Sequence, residues 1–157
     1  MGFEIERKFL LCSDVWRKGA HGTLYRQGYL NTDKARTVRV RRAGEEGFIT
    51  IKGLSKGAAR AEFEYAIPVA EADVMLNTLC LHPLIEKTRY RVEYRGFIWE
   101  IDQFHGENEG LILAEIELES EAQPFELPEW AGQEVTGDAK YFNSYLIKNP
   151  FRRWSRF

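Results

Sequence analysis

Met1-Gly-Phe-Glu-Ile-Glu-Arg-Lys-Phe-Leu10 opens the chain with charged and apolar residues in alternation. Glu4, Glu6 and Lys8 are spaced by two, and a β-strand sends residues i, i+2 and i+4 to one face. As a strand, the segment sets two carboxylates and an ammonium in a row, spread over ~13 Å at roughly 3.3 Å per residue. Phe3, Ile5 and Phe9 fall on the other face, interrupted by Arg7. Taken alone, this reads as an amphipathic strand with one solvated face. The remaining strands decide whether that reading holds.

The same spacing returns along the rest of the chain. Val38 and Val40 alternate with Arg39 and Arg41. Glu62 and Glu64 share a face, as do Lys87, Arg89 and Arg91, then Glu100 and Asp102, then Glu115, Glu117 and Glu119. Lys52 adds one charge from its own strand. Turn residues separate the runs: Asn31 to Lys34, Gly44 to Gly47, Gly53 to Gly57, Arg95-Gly96 and the polar loop His105 to Gly110. Strands are therefore expected near residues 1–10, 23–31, 36–43, 48–53, 60–68, 84–94, 97–103 and 111–119. The Gly53–Gly57 loop lacks the Gly-Lys-Ser/Thr ending of a phosphate-binding P-loop and reads as a hairpin loop.

Helical signals are fewer. Residues 13–22 suggest a short turn with Ser13 or Asp14 at its start and Gly19 at its stop. Residues 71–81 fit a helix with Val74, Met75 and Leu79 in its packing stripe. A second helix is expected over 138–148, capped by Asp138 and stopped before Pro150, with Tyr141, Phe142, Tyr145 and Leu146 packing. The fold class is α+β and mainly antiparallel β, an eight-stranded closed β-barrel with helices packed outside over residues 1–157 as a single domain.

Composition fits a globular core: 157 residues, 44% apolar, with a formal net charge of −2 that excludes a globally basic nucleic-acid binder. No apolar run approaches the ~20 residues of a membrane span. Charges begin at Glu4 without a preceding apolar segment, so a signal peptide is not expected and the cytoplasm is. Cys12 and Cys80 are expected as reduced thiols. His21, His82 and His105 stand isolated, with structural or solvent roles expected. The basic, aromatic tail Phe151-Arg-Arg-Trp-Ser-Arg-Phe157 is expected as a packed or frayed end rather than a nucleic-acid contact.

The charges are segregated, acids on some strands and bases on others, and Arg outnumbers Lys among the bases. Arg suits fixed bidentate contacts. If these faces line a closed barrel, burying them dry would cost several kcal/mol per ion unless each were paired. The interior is then wet and holds something that complements both signs. A polyanion with divalent cations meets that demand: Arg and Lys take phosphate oxygens, and clustered carboxylates take Mg²⁺ or Mn²⁺. An eight-stranded barrel has room for about one small ligand.

Glu4-Ile-Glu-Arg-Lys8 resembles the Glu-x-Glu-x-Lys signature of the CYTH superfamily, the triphosphate tunnel metalloenzymes. The resemblance runs almost end to end, through Gln27-Gly-Tyr-Leu30, Val38-Arg-Val-Arg41, Thr50-Ile-Lys52, Glu62-Phe-Glu64, Glu86-Lys-Thr-Arg-Tyr90, Trp99-Glu-Ile-Asp102, Ala114-Glu-Ile-Glu117 and Glu134-Val-Thr-Gly-Asp138. It implies an eight-stranded tunnel that binds triphosphate with Mg²⁺ or Mn²⁺. It also implies roles. Arg39, Arg41, Lys52, Lys87 and Arg89 would hold the triphosphate. Glu4, Glu6, Glu115 and Glu117 would hold metal. Glu62, Glu64 and Asp102 would support a second metal or the attacking water. Lys8 would stabilise charge on the cleaved phosphate or assist the leaving group, and Tyr29 would reach the terminal phosphate. Glu100 fits the same lining, while Arg91 and Glu119 stand near strand ends.

Length and pattern resemble most the small bacterial members that hydrolyse inorganic triphosphate to pyrophosphate and phosphate. A class IV-type adenylate cyclase, a thiamine or nucleoside triphosphatase, and a non-catalytic polyphosphate-binding module are the alternatives. The expected partner is inorganic triphosphate or another triphosphate-bearing small molecule, with neither nucleic acid nor membrane. The oligomeric state is open.

Overall fold

The computed structural model describes residues 3–31 and 33–154. Its strands are β1 (Phe3–Leu11), β2 (Gly22–Tyr29), β3 (Arg36–Ala43), β4 (Glu46–Gly53), β5 (Ala59–Ile67), β6 (Ile85–Tyr94), β7 (Phe97–Phe104), β8 (Ile112–Glu117) and β9 (Ala131–Glu134). The helices are α1 (Val69–Thr78) and α2 (Asn143–Lys148). Every strand pairing is antiparallel. The sheet runs β5-β4-β3-β2-β6-β7-β8-β1, and β1 closes it by pairing with β5. The eight-stranded barrel expected from the alternating pattern is present, with β9 as an added ninth strand.

β1 is the closing stave. One edge pairs with β8, from Glu6↔Glu117 to Leu10↔Leu113. Its other edge is shared: Phe3 to Ile5 pair with β5, and Phe9 and Leu11 pair with β9. The β6–β7 hairpin turns on Arg95 (φ 50°) and Gly96 (φ 87°). Both residues have positive φ, as the two-residue hairpin turn that matches strand twist requires. That turn fixes Arg89 opposite Asp102 and Arg91 opposite Glu100.

Along each strand the inward positions change character. Lys8, Gln27, Lys87, Asp102 and Glu115 are followed, two residues nearer one end of the barrel, by Leu10, Tyr29, Ile85, Phe104 and Leu113. These five pack with Leu111, Val135, Leu146 and Ile147. The barrel is thus charged along part of its interior and apolar at one end. α2 does not cover an outer sheet face, as the sequence suggested; Leu146 and Ile147 pack on this apolar end, whose inward side chains need a cover.

α1 does lie outside, on β3 and β4, where Ala72 and Leu76 pack with Val40 and Cys80. A Cβ on Gly47 would stand 3.0 Å from that of Ala72, so the close approach of helix to sheet depends on that glycine. The expected stripe is corrected in part. Val74 is 59% exposed and Leu79, beyond the last helical residue, is 63% exposed. A third cluster covers the outer face of β1, β6, β7 and β8. It joins Phe9, Trp99, Ile101 and Ile116 to Trp16 and Trp130.

The second expected helix is interrupted. A 3-10 turn, Ala139–Tyr141, comes first, and Asp138 caps it by accepting from the Lys140 amide. Phe142 is extended, and α2 then begins. The packed C-terminal end is present as far as it is described: Trp154 meets Phe151 and Tyr141 edge-on and donates to the Asn149 carbonyl. Ser155, Arg156 and Phe157 lie outside the described residues, as do Met1 and Gly2. No described helix is long and apolar enough to cross a membrane.

Candidate active site in the barrel

The charged part of the interior encloses a cavity of about 370 Å³. β1 contributes Glu4, Glu6 and Lys8 to its wall, β3 Arg39 and Arg41, and β4 Lys52. β5 contributes Arg60, Glu62 and Glu64, and β6 Lys87, Arg89 and Arg91. Glu100 comes from β7, Glu115 and Glu117 from β8, and Tyr25 and Tyr29 from β2. All of these positions follow from the period of two, which carries each run of charges to one side of its strand.

The basic wall is tied together from behind. Asp102 is buried and does not line the cavity. One of its oxygens accepts from Lys87 Nζ at 2.7 Å and Arg89 Nη2 at 2.8 Å; the other accepts from Arg89 Nε at 2.7 Å. Burial alone would raise the Asp102 pKa, but Arg89 and Lys87 outweigh it and hold the carboxyl well below the usual range. Arg89 stays firmly charged, whereas burial pulls Lys87 down to about 7, with Asp102 opposing and Arg89 and Arg41 adding to the fall. Arg41 has no carboxylate within 4 Å among the described residues; its Nε donates to Gln27 Oε1 at 3.3 Å. Burial and the neighbouring Arg39 and Arg89 lower it to about 10. Tyr25 offers its ring to Arg41 and Arg89 alike, each 5.0 Å from the centroid. Cations crowded this closely are stabilised by an anion that touches several at once.

The acidic wall is the reverse case. One carboxylate oxygen each from Glu4, Glu62 and Glu117 lie within 4.8 Å of one another. Lys52 Nζ lies among them, 3.1 Å from Glu4 and 3.6 Å from Glu62. Burial raises the Glu117 pKa, with Glu4 and Glu6 adding to it. Glu6 is lifted further, to about 7, by burial first and then by Glu115 and Glu4. Three converging hard oxygens with a raised neighbouring acid are a donor set that Mg²⁺ or Mn²⁺ fits.

Between the walls stands Glu115. Lys8 lies 3.3 Å away and Arg89 3.5 Å away. Burial pushes its pKa up, but these two cations more than offset it and the carboxyl sits below its ordinary value. Glu64 accepts from Thr50 Oγ1 at 2.8 Å and lies 3.5 Å from Arg39, outside the three-carboxylate group. Glu100 lies 3.1 Å from Arg89.

The residues singled out from the sequence are thus gathered in one cavity, with two displacements. Asp102 lies behind the basic wall, and Glu62 rather than Glu6 or Glu115 completes the group with Glu4 and Glu117. Arg91 lines the rim with a 69% exposed side chain, and Glu119 lies past the end of β8. Lining residues that the sequence reading passed over are Tyr25, Thr37, Arg60, Ile98, Phe142, Asn143 and Ser144. Arg60 was detectable, since it precedes Glu62 by two. Phe142 to Ser144 were not, because their place depends on the break before α2.

Comparison with known proteins supports the same reading. A family model described as the CYTH domain matches residues 2–143. The chain is 52% identical over 154 residues to an inorganic triphosphatase of Acetivibrio thermocellus, covering 98% of this chain and 99% of that one. An inorganic triphosphatase of Nitrosomonas europaea is 40% identical over 148 residues, covering 91% and 95%. A solved inorganic triphosphatase structure superposes with a TM-score of 0.64 at 37% identity, over 92% of this chain and 93% of the other. A solved Pyrococcus furiosus protein shares the fold at 17% identity, with a TM-score of 0.58 over 76% and 80%. A barrel that gathers its charges inside, over the span that the family model matches, makes this chain a member of the CYTH family.

Proposed function

We propose that the protein is a divalent-metal-dependent inorganic triphosphatase. It hydrolyses the terminal phosphoanhydride of tripolyphosphate to pyrophosphate and phosphate. The observation that carries this reading is the division of one cavity into a basic wall anchored on buried Asp102 and an acidic wall with three converging carboxylates. The activity of the two similar triphosphatases supports it.

In this reading Arg39, Arg41, Lys87 and Arg89 hold the phosphoryl oxygens and orient the chain. Asp102 positions Lys87 and Arg89 without touching substrate. Glu4, Glu62 and Glu117 would hold Mg²⁺ or Mn²⁺, with Glu6 beside them. A bound divalent ion lowers the charge on phosphoryl oxygens and the pKa of water. Glu64, outside the three-carboxylate group, takes a proton from the attacking water. Lys8 neutralises charge gathering on the cleaved phosphate, and Glu115 keeps Lys8 in place. Lys52 moves from its carboxylate partners toward phosphate when the site is filled. Tyr29, at the apolar end, donates its hydroxyl to the end of the chain. Positioning and charge stabilisation are the main contributions expected of such a site.

A substrate panel with purified protein, read by chromatography of products, tests this. The expected outcome is phosphate and pyrophosphate from tripolyphosphate, faster than phosphate from ATP or thiamine triphosphate. Cyclic AMP from ATP at a comparable or higher rate would make the protein a cyclase instead. Binding of tripolyphosphate without any turnover would make it a binding module.

A further inference from the structure

We infer that Arg60 is a substrate-binding residue that grips the bare phosphoryl end of the triphosphate; the inference rests on the triphosphatase reading. Arg60 lies on β5 two residues before Glu62 and lines the cavity. It faces Glu4 in the β1–β5 register, so it adjoins two of the three converging carboxylates along the wall.

Its hydrogen bonding sets it apart from every other cavity cation except Arg41, which donates to Gln27. Lys8, Arg39, Lys52, Lys87, Arg89 and Arg91 each lie within 4.0 Å of a carboxylate. Among the described residues Arg60 has no such partner, and its one hydrogen bond runs from Nε to the Gly53 carbonyl at 3.2 Å. Neither terminal nitrogen has a hydrogen-bond partner among the described residues, and the residue lines the cavity. A guanidinium presents its donors in a rigid fork that matches phosphate oxygens.

The surroundings indicate which part of the ligand it meets. The Phe142 ring lies 5.9 Å from the Arg60 guanidinium and 5.3 Å from Lys8 Nζ, and the residue lines both the main cavity and a second, smaller one. Next to Phe142, Asn143 lines the main cavity, and its Oδ1 is buried without a hydrogen-bond partner. Two cations and an unfilled acceptor at a ring-closed wall suit a terminal phosphoryl group. Its charged oxygens take Arg60 and Lys8, and its remaining protonated oxygen donates to Asn143. The esterified α-phosphate of a nucleoside triphosphate has no such proton, because its one acidic oxygen is already ionised near neutral pH, and it brings bulk toward Phe142.

The test separates this inference from the activity itself. Tripolyphosphate binding is measured by calorimetry in EDTA, which needs no turnover, on wild type, Arg60→Gln and Arg60→Lys. Arg60→Gln is expected to weaken binding ~10-fold or more, the range for loss of a charge-assisted contact. Arg60→Lys should recover part of the loss, with thermal melting unchanged in both. Under turnover with divalent ion, Arg60→Gln should raise KM by a similar factor and leave kcat within about twofold. An unchanged dissociation constant in Arg60→Gln overturns the inference even if the wild type is an active triphosphatase. A wild type that binds tripolyphosphate through Arg60 but does not cleave it overturns the activity and leaves Arg60 assigned to binding.

Discussion

The two walls of the cavity solve the burial of charge in opposite ways. On the β6–β7 side, Asp102 ties Lys87 and Arg89 together through three hydrogen bonds no longer than 2.8 Å. On the side built from β1, β5 and β8, Glu4, Glu62 and Glu117 converge with Lys52 as the cation among them, and Glu6 is raised to about 7 beside them. The first wall is complete as folded. The second is short of positive charge. A buried ion pair costs desolvation that its mutual attraction repays only with good geometry, and gathered like charges cost more still. One wall is thus a fixed frame for phosphate, and the other is a site that a divalent cation relieves.

Breaking the complete wall should have the largest effect. Asp102→Asn keeps the shape but leaves Lys87 buried without a counter-charge within 4 Å and strips Arg89 of its closest one, leaving it Glu100 and Glu115. The expected loss is ~3–5 kcal/mol of unfolding free energy, read from urea denaturation, with triphosphate hydrolysis falling alongside. A loss under ~1 kcal/mol would mean that the frame is not what holds this part of the barrel together.

Neutralising the incomplete wall should have the opposite sign and a smaller size. The Glu6 pKa is raised from its ordinary 4.5 to about 7, so the folded metal-free protein binds more protons than the unfolded chain across that window. Its contribution is present below about pH 4.5 and is lost as pH rises through about 7. Glu6→Gln should therefore raise metal-free stability at pH 8 by roughly 1–3 kcal/mol and flatten the profile between pH 4.5 and 7. Lys87 runs the other way. Its folded pKa near 7 lies under its ordinary 10.5, so its penalty, present below about 7, is relieved as pH rises toward 10.5. Together the two groups place a minimum in metal-free stability near neutral pH. A Glu6→Gln profile that superposes on wild type would remove Glu6 from the strained set.

How much of this was legible in the sequence follows from what a period of two encodes. It told which side chains share a face, and the segregation of acids from bases told that the shared face is enclosed around a ligand. Glu4, Lys52, Arg89 and Glu117 line the cavity for that reason. The pattern carries no depth. Asp102 and Glu100 occupy equivalent positions in the alternation, yet Glu100 lines the cavity and Asp102 lies behind the wall, bonded to Lys87 and Arg89. The change from Lys8 to Leu10, and from Lys87 to Ile85, marks where the interior turns apolar, but only the closed barrel brings those positions to one end. Residues 138–148 carry an ordinary helical pattern; the break at Phe142 comes with its ring set between Lys8 and Arg60, on strands far away in sequence. β9 was hidden for a similar reason. Ala-Gly-Gln-Glu has little strand propensity, and its pairing is supplied by the free edge of β1.

The most direct test of the difference between the walls is a calorimetric titration of Mn²⁺ into metal-free protein at pH 7, for wild type and Glu117→Gln, in two buffers of different ionisation heat. Saturable binding to the wild type is expected, with a buffer-dependent heat that reports proton release from the raised carboxyls, and binding at least ~10-fold weaker in Glu117→Gln. Equal Mn²⁺ affinity in the two proteins, or no binding to either, would contradict the assignment of the acidic wall as the cation site.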